Sequence, residues 1–235
     1  MIVLEEPDRE LYDRVQERNL IRQYDLLTNC IEIGLRQGPT GFDKFTLWAL
    51  NHVAVANISQ FGGRFRDEPI YVGDHVPPHF RQVPDLMDRF VSTIHENWYN
   101  WTATELAAYA LWRLNWVHPF IEGNGRTARA TCYYMLCVKN GTLLRGKKIV
   151  PERIREKRQG YIDGLKAADR AWEEGNLDFS VLEEYLAALL EAQLADDGIA
   201  NPGPVGATPP KPNPTPPAPP GISPGRWVPP ESKPK

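Results

Sequence analysis

Residues 118–129 read HPFIEGNGRTAR, and the local structure of this stretch follows from elementary chain geometry. Pro119 disfavours the helical region for the residue before it, so the preceding helix should stop at Val117 and leave His118 extended at the start of a loop. The turn 123–125 has a glycine on each side of an asparagine, so its backbone N–H groups can approach a ligand closely. The stretch therefore predicts an imidazole next to a compact anion site.

A second helix is predicted directly after this turn. Residues 126–139 contain neither Gly nor Pro and are followed by an Asn-Gly pair that is typical of a helix end. The N-terminus of such a helix favours phosphate, and Arg126 and Arg129 lie on one face of its first turn. Glu122 is a hard oxygen ligand suited to holding Mg²⁺ against phosphate oxygens. These residues indicate a polyphosphate site with a proton acceptor beside it.

The same stretch resembles the signature of the Fic (filamentation induced by cAMP) family, HPFx[D/E]GNGRxxR, at all nine defined positions. Upstream, GGRFR at 62–66 and the segment 70–78 are similar to the family's flap, a β-hairpin over the active site. Downstream, residues 161–176 are similar to the helix and turn that close the family's core. The resemblance covers about residues 41–195 and implies a protein adenylyltransferase (AMPylator).

The resemblance also implies a role for each motif residue. In the family the histidine is the general base that takes the proton from a Ser, Thr or Tyr hydroxyl of a target protein, which gives that role to His118. The acidic position, here Glu122, binds Mg²⁺, and Phe120 points inward. The phosphates of the substrate ATP are held in the family by the positions of Gly123, Asn124, Gly125, Arg126 and Arg129. The implied reaction is transfer of AMP to a protein hydroxyl with release of pyrophosphate.

Gly125 separates this activity from its closest rival in the family. In the Doc branch this glycine is a lysine, and the nucleotide binds inverted so that the γ-phosphate is transferred. The glycine here favours AMP transfer. UMP or GMP transfer, removal of AMP, and a non-catalytic Fic-fold interaction module remain as alternatives.

An all-α, Fic-type helical bundle with a small β-hairpin flap is the predicted fold. Apolar spacing and Gly/Pro boundaries predict helices at about 8–36, 42–58, 80–98, 104–117, 125–139, 152–170 and 178–196. Strands are predicted near 64–72. In the family this hairpin pairs with an extended segment of the target, so Ile70, Tyr71 and Val72 are the expected docking edge.

The chain divides into three parts by composition. Residues 1–40 are predicted to form a helical segment, 41–200 the Fic domain, and 201–235 a disordered proline-rich tail. The tail holds 14 of the 22 prolines, which favours extended polyproline conformation over a packed core. It could serve as a spacer or bind a proline-recognising partner.

Overall composition excludes several classes of function. The net charge of −3 gives no basis for nucleic-acid binding, and no apolar run predicts a membrane span or a signal peptide. The three cysteines lack the spacing of a disulfide framework or a zinc site. A cytoplasmic protein is the expectation, with delivery into another cell left open.

Regulation is the least defined part of the sequence. Many members of the family carry an inhibitory [S/T]xxxE[G/N] helix whose glutamate pairs with the second motif arginine, here Arg129. Glu32, after Thr28, and Glu184, after Ser180, are the possible inhibitory residues, but neither is followed by Gly or Asn. Each is better explained as an exposed helix face. A separate antitoxin-like inhibitor is therefore the expectation.

Overall fold

The computed structural model describes residues 9–73 and 75–196, and the architecture in this part of the chain is helical. All of these residues belong to one unit, Met1–Pro202. The helices, in chain order, are α1 (Arg9–Gln37), α2 (Lys44–Ala54), α3 (Val83–Asn97), α4 (Ala103–Val117), α5 (Asn124–Lys139), α6 (Val150–Glu156), α7 (Arg158–Glu173) and α8 (Ser180–Asp196). The predicted all-α Fic-type fold class is confirmed. The predicted tail, 201–235, lies outside the described residues.

Helices α4 and α5 form the centre of the bundle and pack against each other. α4 begins at a capping box in which Thr102 and Glu105 satisfy each other's backbone N–H groups. Its sequence, ATELAAYALWRLNWV, is apolar on nearly every face, as expected of a helix surrounded by protein. The residues that join these two helices are 118–123, so the signature stretch is the connection between the two most central elements.

The remaining helices enclose this pair. α1 lies against α2 and α5, while α8 packs on α4 and α7. α1 therefore runs alongside the helix whose first two turns carry both motif arginines. None of the helices in residues 9–73 and 75–196 is long and apolar enough to cross a membrane.

Two predicted helix boundaries are wrong. The single helix expected at 152–170 is two helices, because Lys157 leaves the helical region at φ −101° and ψ 52°. The helix expected to reach residue 58 ends at Ala54, and the chain then turns through Asn57, which has a positive φ of 61°. In both places the tertiary structure redirects a chain segment that has no Gly or Pro at the break.

The flap, residues 62–78, contains less regular structure than predicted. In its described residues, 62–73 and 75–78, no strand forms, and one antiparallel bridge joins Val72 to His75. Val72 and His75 exchange both backbone hydrogen bonds, at 3.4 and 3.0 Å. Prolines on both sides of this turn lack the N–H donors that a longer ladder needs. The flap is thus a short turn with extended arms.

Candidate active site

His118 ends α4 in a left-handed conformation, with φ 48° and ψ 61°. The prediction of an extended residue here is wrong. The following proline disfavours only the right-handed helical region, and His is one of the residues that adopts the left-handed region more readily than most. Its backbone N–H donates to the Leu114 carbonyl at 3.0 Å, which closes the last turn of α4. The turn fixes the imidazole at the start of the motif loop, residues 118–123, which leads into α5.

The contacts of His118 define which ring nitrogen is free. Nδ1 lies 3.1 Å from the Asn115 carbonyl oxygen, which can only accept, so Nδ1 carries the proton and Nε2 keeps its lone pair. Burial lowers the pKa of His118 to about 4; the Asn115 carbonyl opposes this shift, and the nearby His75 and Arg66 add to it. The imidazole is therefore neutral at physiological pH and has a nitrogen ready to accept a proton.

Asn124 braces the motif loop from inside. Its side-chain Nδ2 donates to the Phe120 carbonyl at 2.7 Å, and its Oδ1 accepts from the Phe120 N–H at 2.9 Å. Phe120 itself points inward and is 1% exposed, as predicted. Both polar atoms of the Asn124 side chain are thus bonded to the loop backbone. Its side chain shapes the predicted anion site.

Gly123 permits the sharp turn into α5. It has φ 81°, and a Cβ at this position would lie 2.6 Å from Val55 Cγ1 and 2.9 Å from Asn51 Nδ2. Gly123 is also the residue before the first turn of α5, where it has no side chain to cap the helix. The N–H groups of that turn are left for water or an anion. This geometry agrees with the predicted anion site.

Two residues that the sequence analysis did not single out hold the motif loop in place. Asn51, on α2, is fully buried; it donates to the Glu122 carbonyl at 2.8 Å and accepts from the Gly63 N–H at 3.0 Å. Arg66, in the flap, donates through Nε to the His118 carbonyl at 2.8 Å. In the sequence, Arg66 stood out only as part of GGRFR, the segment that is similar to the family's flap. Asn51 was recognisable only as a polar residue in the apolar run of α2.

Glu122 is held by two partners within the site. Its Oε1 accepts from Arg126 Nη2 at 2.9 Å and from the Tyr12 hydroxyl at 3.2 Å. A second nitrogen of Arg126 donates to the Ala54 carbonyl at 2.7 Å. Tyr12 comes from α1 and carried no motif that would have identified it.

Glu122 also fits the single-carboxylate type of magnesium site. No group of three metal-binding side chains occurs in the described part of the chain. A closed protein cage is not needed, because Mg²⁺ is commonly held by one or two carboxylates together with substrate phosphates. The Glu122 side chain is 35% exposed, so its carboxylate is accessible to an ion.

Arg129 lies over the first turn of α5 with no counterion. A Cβ on Gly125 would lie 3.2 Å from Arg129 Nη1, so the guanidinium folds back towards the predicted anion site. Burial lowers the pKa of Arg129. Within residues 9–73 and 75–196 it forms no ion pair, and neither Glu32 nor Glu184 contacts it; both of these glutamates are exposed.

The predicted docking edge lies on the flap beside the motif loop. Tyr71 is 84% exposed, while Ile70 and Val72 are partly buried. The flap is joined to the motif loop by the backbone of Arg66, whose N–H donates to the Pro119 carbonyl at 2.8 Å. His75 also anchors it, because its Nε2 lies 2.8 Å from the Trp116 carbonyl. The edge is thus exposed but tethered close to His118.

Comparison with known proteins agrees with this geometry. Residues 41–136 match the Fic/DOC family. The chain is 38% identical over 117 residues to the protein adenylyltransferase Fic of Drosophila persimilis, a match that covers 46% of this chain and 20% of that protein. It is 43% identical over 74 residues to the protein of the same name from Drosophila grimshawi, covering 29% of this chain and 14% of that protein. The matched region is thus about a fifth or less of these relatives' length.

Solved structures share the fold at low sequence identity. Fic-1 of C. elegans, residues 134–508, superposes with a TM-score of 0.62 and 20% identity, over 82% of this chain and 53% of that one. A Fic family protein from Desulfovibrio desulfuricans G20 gives a TM-score of 0.53 and 17% identity, over 82% and 66% of the two chains. The fold is therefore a Fic fold. The similarity to the Fic/DOC family lies in the domain matched at residues 41–136.

Proposed function

We propose that this protein transfers AMP from ATP to a Ser, Thr or Tyr hydroxyl of a target protein. One observation carries the proposal. A neutral imidazole with a free Nε2 shares one braced loop with an uncapped helix N-terminus, and Arg129, which has no counterion among the described residues, lies over that N-terminus. A base, an anion site and a fixed cation at one locus are what attack on a phosphate requires. The relatives named protein adenylyltransferase support the same reaction class.

The proposed step is an in-line displacement at the α-phosphorus. The target hydroxyl oxygen forms a bond to the α-phosphorus as His118 Nε2 takes its proton, and the bond from that phosphorus to the bridging oxygen of pyrophosphate breaks. Pyrophosphate leaves with the bonding electrons. The N–H groups of Gly123, Asn124 and Gly125 would hold the α-phosphate oxygens, where preorganised donors stabilise developing charge.

Charge on the rest of the triphosphate would be neutralised by Arg126 and Arg129. Glu122 would hold Mg²⁺, which would supply further charge neutralisation. Arg126 is already oriented by the Ala54 carbonyl, so a guanidinium stands beside the expected phosphate position before substrate binds. Such preorganisation reduces the cost of ordering the site during the reaction.

The direction of transfer is supported by the space at Gly125. A side chain added there would meet Arg129 Nη1 at 3.2 Å and would compete with that guanidinium for the terminal phosphates. A glycine leaves Arg129 free to hold the β- and γ-phosphates. The α-phosphate then faces the base, and AMP is the group transferred.

Labelled ATP tests this proposal. Full-length protein with Mg²⁺ should label itself or a protein in a cell extract, with a mass increase of one AMP. His118→Ala should reduce the rate at least about a hundredfold, because a positioned general base contributes that much or more. His79→Ala, at an exposed histidine of the flap border, is the matched control and should label normally. UTP and GTP in parallel reactions report the base preference.

Absence of label with every nucleotide, or full labelling by His118→Ala, would refute the proposed reaction. Either result would favour a non-catalytic Fic-fold module that binds nucleotide or a peptide at the flap.

We further propose the extent and control of the domain. Residues 41–200 would form the Fic domain, preceded by the helical segment 1–40, and a separate antitoxin-like protein would restrain it. The open Arg129 supports this form of control, because an acidic side chain from another protein could pair with it. The tail, 201–235, is proposed as a docking segment for a proline-binding partner, and a pull-down with and without it would test that role.

A further inference from the structure

A cavity of about 240 Å³ lies between α1, α5 and α6, next to both motif arginines. Apolar side chains from α1 and from the start of α6 form much of its wall, including Leu20, Leu27 and Ile149. Arg126 and Arg129 contribute from α5, and Arg155 contributes from α6. The cavity is therefore lined both by the start of α5 and by α6, a helix that the signature does not include.

The guanidiniums in this cavity outnumber the acids available to them. Arg126 is paired with Glu122, but neither Arg129 nor Arg155 forms an ion pair in residues 9–73 and 75–196. The acid in the cavity wall is Glu152, and one of its oxygens accepts from the Ile149 N–H at the start of α6. The local charge is thus positive.

An excess of positive charge around a partly buried guanidinium is unfavourable without an anion. Burial lowers the pKa of Arg129, and the charges of Arg155, Arg126 and Arg158 lower it further, against the opposing effect of Tyr161. A charge that is partly removed from water and has no partner is destabilising, so an anion that fits here would be bound favourably. Guanidiniums bind phosphate oxygens through two parallel hydrogen bonds, which makes a phosphate group the fitting anion.

We propose that Arg155 is a phosphate-binding residue of this site, and that with Arg129 it holds a pyrophosphoryl group in the cavity between α5 and α6. The inference rests on the proposed function, in which pyrophosphate is the leaving group. The pyrophosphoryl group can be the terminal part of ATP or free pyrophosphate after transfer. Arg155 lies outside the family signature and outside the family match at residues 41–136, so neither assigns it this role.

Binding measurements on the full chain test this assignment without relying on activity. Isothermal titration with MgATP, with magnesium pyrophosphate and with AMP should be compared for the wild type, Arg155→Ala and Arg155→Glu. We expect Arg155→Ala to weaken binding of ATP and pyrophosphate about tenfold, as for loss of a charge-assisted hydrogen bond, and to leave AMP binding unchanged. Arg155→Glu should weaken the binding of ATP and pyrophosphate more than Arg155→Ala does. The difference in affinity between each variant and the wild type should shrink with added salt.

Arg36→Ala is the matched control. Arg36 is an exposed arginine in the last turn of α1, and a Cβ added at Gly34, two residues before it, would meet Tyr134 and Val138 near the far end of α5. The control removes the same charge away from the cavity and should bind all three ligands like the wild type. Thermal denaturation of each variant verifies that the fold is retained.

The outcomes separate the two proposals. Weakening for pyrophosphate alone assigns Arg155 to the released product, and weakening for ATP as well assigns it to substrate and product. If Arg155→Ala binds both like Arg36→Ala, the assignment fails, while normal labelling by that variant leaves the proposed function intact. If the wild type binds neither ligand and labels nothing, the proposed function fails and the assignment fails with it.

Discussion

The motif loop and the flap are neighbours in this fold, yet they are held in opposite ways. The motif loop is fixed by buried hydrogen bonds from Asn124 and Asn51, and its aromatic residue Phe120 is almost fully buried. The flap has one backbone bridge in its described residues and exposes Tyr71 and Val76, which are 84% and 75% exposed. In the proposed reaction, this difference leaves the phosphate site preorganised and the target edge completed by its partner.

Of the changes to the motif loop, removal of the Asn51 side chain should have the largest effect on stability and on labelling. Asn51→Ala leaves the Glu122 carbonyl and the Gly63 N–H without their buried partner, which should lower the free energy of unfolding by about 3 kcal/mol. Labelling should fall as well, because the loop loses its connection to α2. Chemical denaturation and the labelling rate measure the two effects. Asn29→Ala, at an exposed asparagine of α1, is the control; equal stability of the two variants would show that the loop does not depend on Asn51.

Removal of a backbone donor from the flap edge should have a smaller effect, which is confined to labelling of the target protein. Val72 uses its N–H and carbonyl to pair with His75, so the N–H of Tyr71 faces the opposite edge, because these groups alternate along an extended chain. Tyr71→Pro removes that donor and should reduce target labelling about fivefold, as for loss of one backbone hydrogen bond. Tyr71→Ala keeps the donor and should retain most of the labelling.

Isothermal titration with MgATP tests whether either Tyr71 variant has a general defect in nucleotide binding. ATP binding should be equal to wild type in both, since the edge lies outside the phosphate site. A Tyr71→Pro variant that labels its target normally would show that this N–H does not dock the target.

The pH dependence should reveal how deeply the base is buried. Since burial lowers the pKa of His118 to about 4, Nε2 stays unprotonated between pH 8 and pH 6, and His118 should cause no loss of labelling rate in that range. An ordinary histidine would give an inflection near its usual pKa of about 6.5. Labelling rates at saturating nucleotide across this range measure the effect, and an inflection near pH 6.5 that His79→Ala retains would contradict the buried-base geometry.

The same pKa shift predicts a direction for stability. The pKa of His118 is lower in the folded state than in the unfolded chain, so the unfolded chain binds more protons between about pH 6.5 and pH 4. The contribution of His118 to folding stability is therefore complete above pH 6.5 and is lost as the pH falls towards 4. Thermal melts of the wild type and His118→Ala over this range should converge as the pH decreases.

The smallest effect is expected for the two glutamates considered as inhibitors. Glu32 and Glu184 are exposed and make no ion pair with Arg129 in the described residues. Glu32→Gly and Glu184→Gly should therefore leave self-labelling unchanged. A large rise in labelling for either variant would show that the helix carrying it reaches the site in solution and that the protein restrains itself.

Prediction from sequence succeeded where spacing along the chain decides the structure. The helices before and after the signature and the glycine turn at 123 follow from local patterns, and the buried Phe120 follows from the family resemblance. Prediction failed where residues far apart in the sequence determine the backbone conformation. Lys157 breaks a helix without Gly or Pro, and the flap loses its strands because an isolated hairpin has no neighbour to extend its ladder.

The candidate site shows the same contrast between residues that local sequence identifies and residues that only the fold brings in. The motif residues could be named because their chemistry and spacing lie within twelve residues. Tyr12, Asn51 and Arg155 could not, since Tyr12 meets Glu122 across 110 residues and Asn51 meets it across 71. Polar side chains at such separations carry no local signal of the partner they find.

The sequence by itself determined the helical class and the glycine turn, and it brought His118, Glu122 and the two arginines into one stretch, because each depends on residue type and on short spacing. Only the tertiary structure decided the left-handed backbone and the lowered pKa of His118, the absence of a counterion beside Arg129 in the described residues, and the place of Arg155 in the same cavity. Those properties arise from burial and from contacts between helices. They exist only once distant segments have packed together and excluded water from the groups that act.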